Sequence, residues 1–522
     1  MSLNNRYHNR MSSAFSDQNI LNAWRDVEVA VLMAKAALKK NHEFEVAANE
    51  LNQIGDVDVA RKEQIEKETK HDLVAAIRAM AEQVDDGNPD KNLGRLIHQG
   101  ITSYDTEDTA QSLMLYAAGN KTEKRLHELL EALMAKANLF KYVPCNGYTH
   151  NQIAEPITVG KRFLDAAVGI DQQMQKLRIE TKEANICKIK GATGIFSGLL
   201  TPELEKEVAA TLHQTPARIA TQILPIEDLL SFFNPMLIVA CKIENLAQNL
   251  RLASGDLAEV KEGFAKGQTG SSVMTFKQNP INIENITGAA RKIKALYNEL
   301  MHATATWRER DISNSFQVQR HIIPEMFETM EHIISKTLSI LSGLQVFPIQ
   351  CMRNLKKYGD FVFAGAAKDF IATNFSDADN KKIYQMVQTF SIQAKNSADW
   401  RGEPRSLFYM LAPEVEKIGG KKLVEELKTA MSLAHNLRNI HNVYVDARFK
   451  NGREDTVHAE LVDYMISGGQ LKEFKPMDSV IFINSYYQIV EANYRNFGLK
   501  DEYLDKLKKS VLRFKKELGV GR

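Results

Sequence analysis

One glycine-rich segment combines several groups that can hold an anion. Gly267–Pro280, GQTGSSVMTFKQNP, carries two glycines and two serines ahead of Lys277. Glycines let backbone N–H groups turn towards a ligand, and Lys277, six residues after Ser271, adds a positive charge. Preorganised donors of this kind stabilise the charge that develops on a carboxylate-like intermediate. The segment therefore predicts an anion-stabilising loop; the alternative is a flexible linker between helices.

Three further segments between helical stretches are rich in polar residues. Gly147–Gly160, GYTHNQIAEPITVG, contains His150, and an imidazole is a natural proton donor near neutral pH. The others are Glu68–Asp72, ETKHD, and His98–Asp105, HQGITSYD. Each also has a structural interpretation, because a lone histidine is often a satisfied structural residue and TSYD is typical of a helix cap.

Helical periodicity dominates the elements that must position these residues. Leu21, Trp24 and Val27 recur at three-residue spacing, with charges on the other face. Thr201-Pro202-Glu203 is typical of a helix start. Long stretches without proline in the middle of the chain predict several unusually long helices, and strand-like alternation is scarce.

These patterns predict an all-α fold. We expect an N-terminal helical domain at 1–103, a central long-helix bundle domain at 104–354 and a C-terminal helical domain at 355–522. Long helices with apolar residues on more than one face need partners, so we expect the bundle to be completed by oligomerisation. Two glycine pairs, at 419–420 and 468–469, punctuate the C-terminal domain.

Composition argues against several classes of protein. The 67 Lys and Arg residues nearly balance the 65 Asp and Glu residues, which gives no argument for a nucleic-acid or membrane partner. The basic run at 506–516 has the spacing of a solvated amphipathic face. The four cysteines form no CxxC pair, so we expect a reducing compartment. Without an apolar N-terminal segment or a long apolar run, we expect a soluble, cytoplasmic protein.

Taken in order, the polar segments resemble the fumarase/aspartase superfamily of β-eliminating lyases, and within it the adenylosuccinate lyase family. GSSVMTFKQNP resembles the superfamily signature GSSxMPxKxNP. The other segments that resemble adenylosuccinate lyases are ETKHD, HQGITSYD with DTA at 108–110, GYTHNQIAEPITVG, Arg6-Tyr7, FSD at 15–17, and WRERDISNS at 307–315. The resemblance covers about residues 6–355.

The resemblance implies both a fold and a reaction. The fold is the three-domain, long-helix fold of the superfamily, and the assembly is a homotetramer whose active sites each draw on three subunits. The reaction is a β-elimination that breaks a C–N bond and releases fumarate. Adenylosuccinate would give AMP, and the succinylated aminoimidazole carboxamide ribotide would give the carboxamide ribotide. Neither a metal nor an organic cofactor is implied.

The resemblance also implies roles for individual residues. Ser271 would be the general base, and His150, oriented by Glu284, the general acid. Lys277 and Asn279 would stabilise the dianionic intermediate. The remaining substrate-contacting residues would be the carboxylate donors Thr102, Ser103, Thr149 and Gln222, the site-lining residues His71, Asp72 and His98, and the phosphate-binding residues Arg6, Tyr7, Arg310 and Ser315.

Four features depart from the family pattern, one of which is the C-terminal block at 355–522, which is long for the family. Thr275 replaces the proline of the signature, and Tyr104 stands where a smaller residue is usual. The second phosphate-binding arginine would fall on Gln319, whereas Arg320 lies one position later. One residue on a helix rotates a side chain by about 100°, so Arg320 substitutes only where the helix is locally adjusted.

Two alternatives remain open. The first is another enzyme of the superfamily, such as a carboxymuconate cycloisomerase or a different fumarate-releasing lyase. The second is a non-catalytic, crystallin-like member. The phosphate-binding residues favour a phosphorylated substrate, and retention of Ser271, Lys277, His150 and Glu284 together favours an enzyme.

Overall fold

The computed structural model describes residues 8–87, 92–265, 267–305, 308–374, 380–401 and 405–446. Helices form most of this part of the chain, so the predicted mostly helical fold is confirmed. The helices are α1 (Asp17–Lys39), α2 (His42–Gln53), α3 (Val59–Thr69), α4 (Asp72–Asp86), α5 (Ser103–Leu139), α6 (Val159–Glu183), α7 (Pro202–Leu212), α8 (Asp228–Ser254), α9 (Ile281–Ala303), α10 (Ile312–Gln317), α11 (Ile323–Gly343), α12 (Pro348–Tyr358), α13 (Ala364–Asn374), α14 (Asn380–Arg401), α15 (Leu407–Ala430), α16 (Leu433–Leu437) and α17 (Ile440–Asp446). Short 3-10 helices cover Ser12–Phe15, Leu93–Leu96 and Gly359–Phe363, and a π-helical segment covers Val318–Ile322.

The predicted long helices occupy the middle of the chain. α5 has 37 residues, α8 has 27 and α6 has 25. The predicted start of α7 is confirmed: the Thr201 hydroxyl accepts the Leu204 amide at 3.2 Å, and Pro202 opens the helix. This cap satisfies one of the N–H groups that a helix start leaves without an intrahelical partner.

The described residues also contain three small two-stranded sheets. β1 (Pro144–Thr149) pairs antiparallel with β2 (Gln152–Thr158). β3 (Ile186–Cys187) pairs parallel with β4 (Thr215–Pro216), and β5 (Val260–Lys261) pairs antiparallel with β6 (Gln345–Val346). The β1–β2 hairpin was not predicted, since a short polar segment with one proline shows little strand alternation.

The chain divides into two compact units. Unit 1 contains Met1–Leu130, Gly169–Asn245 and Asn285–Leu338, and unit 2 contains Glu131–Val168, Leu246–Glu284 and Ser339–Arg522. The bounds of the three predicted domains remain a prediction.

Each unit has its own apolar core. In unit 1, Trp24 and Val27 of α1 are buried in a cluster that also includes Leu204 of α7. This agrees with the apolar face predicted for α1. In unit 2, Leu407 and Leu411 of α15 are buried in a second cluster.

α15 bends inside its length. Gly420 has φ +70°, in the left-handed region that glycine enters at little cost, so the predicted punctuation at 419–420 is a kink. The glycine pair at 468–469 and the basic run at 506–516 lie outside the described residues.

Among the described residues, one helix, α8, has the length and apolar composition that a membrane crossing requires. Half of its most apolar window is buried inside the protein, and core helices of globular proteins pass the same test.

Candidate active site

The glycine-rich loop of unit 2 folds back on itself. The Asn279 side-chain amide donates to the Gly270 carbonyl at 3.0 Å, and the Ser271 hydroxyl oxygen accepts the Met274 amide at 3.1 Å. A Cβ at Gly270 would lie 2.1 Å from the Lys277 carbonyl oxygen, so this position admits only glycine without a shift. The fold-back brings Ser271, Lys277 and Asn279 together on one compact loop.

The tip of this loop is exposed. Val273 and Phe276 are each 84% exposed, and the Lys277 side chain is exposed too. The loop therefore presents apolar side chains, a serine and a cation to its surroundings, and Thr275 lies among them in place of the expected proline.

His150 lies at the tip of the β1–β2 hairpin in unit 2. His150 and Asn151 have φ values of +52° and +57° and connect the paired residues Thr149 and Gln152. A two-residue connection with two positive φ values is the mirror-image turn that suits twisted hairpins. Thr149, His150 and Asn151 are all exposed, so the side chain of the predicted proton donor, His150, is accessible at the turn.

A buried polar cluster supports this hairpin. Arg162 of α6 donates to the Asn146 carbonyl of β1 at 3.0 Å and lies 3.5 Å from the Glu259 carboxylate. Glu259 is fully buried and also accepts the Asn354 amide at 3.0 Å. Buried charges need such partners, and this cluster fixes the base of the hairpin.

Glu284 lies in the first turn of α9. Its carboxylate pairs with Arg251 at 3.2 Å, and both side chains are about half exposed. An exposed pair of this kind contributes little stability. The predicted role of Glu284 in orienting His150 remains a prediction.

In unit 1, His71 and Asp72 begin α4. The His71 Nδ1 accepts the Val74 amide at 3.4 Å as the helix cap, and the Asp72 carboxylate forms an ion pair with Arg320. The Arg320 guanidinium also lies 5.7 Å from the centre of the Trp24 ring. Arg320 and two of the predicted site-lining residues therefore form one cluster.

Arg320 lies within the π-helical segment. This segment, Val318–Ile322, separates α10 from α11. A π turn accommodates one residue more than an α turn and changes the direction of the side chains that follow. The local helix adjustment that the sequence analysis required for Arg320 is thus present.

A second cluster in unit 1 surrounds Arg310. Its Nη1 donates to the Gln222 side-chain oxygen at 3.1 Å, and its guanidinium stacks over the Tyr104 ring at 4.1 Å from the centroid. The Arg310 Nε is buried and has no hydrogen-bond partner in the described part of the chain. The Tyr104 hydroxyl hydrogen-bonds Ser315 and donates to Gln319 at 3.3 Å.

These contacts bring together three of the predicted substrate residues, Gln222, Arg310 and Ser315. Burial raises the pKa of the Tyr104 phenol to about 12, so this hydroxyl stays protonated and available as a donor. A guanidinium, a hydroxyl and an amide in one place can bind an oxyanion.

Two buried carboxyl groups lie on the first turns of α5. Burial raises the pKa of Asp108 to about 7, against the opposing effects of the Lys188 ammonium and the Leu224 amide. Burial, with a smaller contribution from Asp72, raises the pKa of Glu107 to about 8. The sequence patterns predicted no role for either carboxyl group. The acidic run from Asp105 to Asp108 looks like ordinary helix-start charge, and only burial sets it apart.

Thr102 and Ser103 stand at the start of α5. The Thr102 amide donates to the Asp105 carboxylate at 3.0 Å, and α5 begins at Ser103. The predicted cap at 102–105 and the predicted carboxylate donors therefore occupy the same turn.

His98 has a well-defined structural partner. Its Nδ1 lies 2.7 Å from the carboxylate of Glu28, which is fully buried and also accepts the Thr106 hydroxyl at 2.7 Å. Burial alone would lower the His98 pKa, but Glu28 reverses this and raises it. Burial would raise the Glu28 pKa, but His98 and Thr106 lower it. The His98 side chain remains 20% exposed, which leaves part of it for a ligand.

A cavity of about 820 Å³ opens beside the Tyr104 cluster in unit 1. Its lining includes Tyr104, Asp108, Ser315 and Gln319. No group of three or more His, Cys, Asp or Glu side chains suited to a metal ion occurs among the described residues.

The predicted site residues thus form separate groups within the two units. Unit 1 brings Asp72 next to Arg320, and Gln222 next to Arg310 and Tyr104. Unit 2 holds Ser271, Lys277 and Asn279 on one loop and Thr149 with His150 on the hairpin. Arg6 and Tyr7 lie outside the described residues.

Comparison with known proteins gives one family and a consistent set of relatives. A family model described as lyase matches residues 5–294, more than half of the chain. The chain is 29% identical over 437 residues to the adenylosuccinate lyase of Thermotoga maritima, which is 83% of this chain and 96% of that protein.

Solved structures of other proteins share the fold. The fumarate lyase from Mesorhizobium sp. BNC1 matches with a TM-score of 0.71 and 20% identity, covering 90% of this chain and 100% of that one. The 3-carboxy-cis,cis-muconate lactonizing enzyme from Pseudomonas putida also matches with a TM-score of 0.71 and 20% identity, covering 87% of this chain and 97% of that one.

Proposed function

The chain belongs to the lyase family, within the fumarase/aspartase superfamily, and on that premise we propose that it is an adenylosuccinate lyase. The observation that carries the proposal is the 29% identity to the Thermotoga maritima enzyme, because it extends over 96% of that enzyme. The reaction would split adenylosuccinate into AMP and fumarate, and the succinylated aminoimidazole carboxamide ribotide into the carboxamide ribotide and fumarate.

The difficult step is removal of a proton from the carbon next to a carboxylate. Ser271 is the proposed base, and an alkoxide needs hydrogen-bond donors to form near neutral pH. The Met274 amide already donates to the Ser271 oxygen, which favours its charged form. Lys277 and Asn279 on the same loop stabilise the dianion that results.

The departing nitrogen must then take up a proton. His150 is the proposed donor, and its exposed position at the hairpin turn lets a substrate approach it. Glu284 is the proposed carboxylate that orients this imidazole.

The Arg310 cluster supports a phosphorylated substrate. Arg310 and Ser315 supply a guanidinium and a hydroxyl, which suit a phosphate group. Thr102, Ser103, Thr149 and Gln222 are the proposed carboxylate donors, and Arg6, Tyr7, His71, Asp72 and His98 complete the proposed substrate contacts.

We further propose a cytoplasmic homotetramer with shared active sites that uses neither a metal nor an organic cofactor. The exposed apolar tip of the serine loop, with Val273 and Phe276, supports assembly, because such side chains are usually covered in the working form. Nucleic acid and membranes are not among the proposed partners.

Ultraviolet absorbance of the purified protein with adenylosuccinate tests the proposal, with AMP and fumarate identified among the products. Ser271→Ala should abolish turnover, whereas the neighbouring Ser272→Ala serves as the matched control. A folded wild-type protein that binds AMP but leaves adenylosuccinate intact would indicate a non-catalytic member. Turnover of a carboxymuconate with no effect on adenylosuccinate would replace the proposed substrate.

A further inference from the structure

We propose that Lys188 is a positioning residue that holds Thr102 and Gln222, two of the carboxylate donors, in their working positions. This inference rests on the proposed function for its ligand, a four-carbon dicarboxylate.

Lys188 lies at a fully buried junction in unit 1, directly after β3. Its ammonium lies 3.0 Å from the Asp105 carboxylate, and neither side chain has any exposed surface. The same ammonium donates to the Gln222 carbonyl. A buried ammonium is costly without such partners, so these contacts fix the relative positions of α5 and the segment around 222.

The Asp105 carboxylate, which Lys188 holds in place, in turn fixes the position of Thr102. One of its oxygens accepts the Thr102 amide at 3.0 Å, and the other accepts the Lys190 amide at 3.1 Å. The Gly191 amide is also 3.1 Å away. Thr102 is therefore held through Asp105 by the segment that carries Lys188.

Gln222, whose carbonyl Lys188 holds in place, in turn contacts the segment that carries Arg310. Its amide donates to the Glu309 carbonyl at 3.1 Å, and its side-chain oxygen accepts Arg310 at 3.1 Å. Residues 217–227 form no helix or strand, so their positions depend on contacts of this kind. Lys188 thus ties the Thr102 turn and the Gln222 segment to one point.

Lys190 is a natural control. Its ammonium pairs with the buried Glu205 carboxylate at 2.8 Å and lies 4.3 Å from the centre of the Phe196 ring. It is nearly as buried as Lys188 and only two residues away, yet neither Glu205 nor Phe196 is a predicted carboxylate donor.

The test compares Lys188→Met with Lys190→Met in the full-length protein. Each variant removes one buried ammonium and leaves one carboxylate unpaired, so both should lower the melting temperature. Lys188→Met should weaken fumarate binding, measured by calorimetry, at least about tenfold, the effect of misplacing a hydrogen bond to a charged group. Lys190→Met should change it less than about twofold. Equal losses in both variants, or unchanged binding in Lys188→Met, would overturn the proposal.

Neutral double variants keep the comparison decisive where a single variant does not fold. Lys188→Met with Asp105→Asn and Lys190→Met with Glu205→Gln leave no unpaired buried charge, and the same difference in fumarate binding is expected. A wild-type protein that binds fumarate but does not cleave adenylosuccinate contradicts the proposed function alone. A wild-type protein that does not bind fumarate overturns the positioning role as well.

Discussion

The raised pKa of Asp108 makes the stability of the protein depend on pH in a way that one substitution can reveal. Asp108 is 3% exposed, accepts the Leu224 amide at 2.7 Å and accepts the Gln319 amide at 3.3 Å. Asp108→Asn keeps the shape and one acceptor oxygen but cannot ionise. The variant therefore removes the titration and preserves most of the packing.

The size of the effect follows from the shift. Burial raises the pKa of Asp108 from 3.8 to about 7. The folded state therefore holds a proton that the unfolded state releases, so the free energy of unfolding falls as pH rises between these values. About two of these pH units lie between pH 5 and 7, which at about 1.36 kcal/mol per unit gives at most about 3 kcal/mol. Asp108→Asn cannot ionise and does not undergo this fall in the free energy of unfolding. Its stability relative to wild type should therefore rise by up to about 3 kcal/mol between pH 5 and pH 8.

Urea unfolding followed by fluorescence at pH 5 and pH 8 measures this difference. Asp256→Asn is the control, because it makes the same chemical change at an exposed side chain instead of a buried one. A difference between Asp108→Asn and wild type that is the same at both pH values would refute the account of a buried, protonated carboxyl. A stability gain of Asp108→Asn over wild type that is smaller at pH 8 than at pH 5 would mean that the pKa of Asp108 shifts in the opposite direction.

Three further predictions concern other parts of the candidate site. Tyr104→Leu should weaken AMP binding about 2- to 30-fold, because the Arg310 guanidinium loses the ring it stacks on, while Tyr104→Phe should stay close to wild type in a calorimetric titration. The ion pair of Glu28 and His98 should stabilise the protein most between their ordinary pKa values, about 4.3 and about 6.5. Its contribution is lost as pH falls through the lowered Glu28 pKa or rises through the raised His98 pKa, so the destabilisation by His98→Asn in urea should be larger at pH 5.5 than at pH 9. Gly270→Ala should lower steady-state turnover at least about tenfold with little change in melting temperature, because the exposed loop must shift around a Cβ that meets a carbonyl oxygen at 2.1 Å; unchanged turnover would show that the observed fold-back is not needed.

The helices could be predicted from the sequence because their signals are local. The Thr201-Pro202 start and the apolar face of α1 each depend on residues one or two turns apart, and both are confirmed. The hairpin that carries His150 could not be predicted in this way. Its turn depends on positive φ at His150 and Asn151, and its strands are too short and polar for a clear alternation.

Burial explains why part of the candidate site was missed. The sequence shows Asp105, Glu107 and Asp108 as acidic residues at a helix start, which usually face solvent and favour the helix dipole. In the structure they lie inside unit 1. Lys188, 80 or more residues along the chain, pairs with Asp105 and acts electrostatically on Asp108, whereas Arg320 and Arg310 act on Glu107. Pairings over such separations come from the fold and have no signal in the local pattern.

Two of the departures from the family pattern, Tyr104 and the Gln319–Arg320 pair, form one connected arrangement. Tyr104 and Gln319 are 215 positions apart, yet the tyrosine hydroxyl donates to the glutamine side chain. The Tyr104 ring also stacks on the Arg310 guanidinium. The family pattern implies a second phosphate-binding arginine at position 319, where this chain has glutamine. The π-helical segment turns the next residue, Arg320, to the Asp72 carboxylate. We therefore propose that the tyrosine, the glutamine and the π-helical segment together change how a substrate anion would be held.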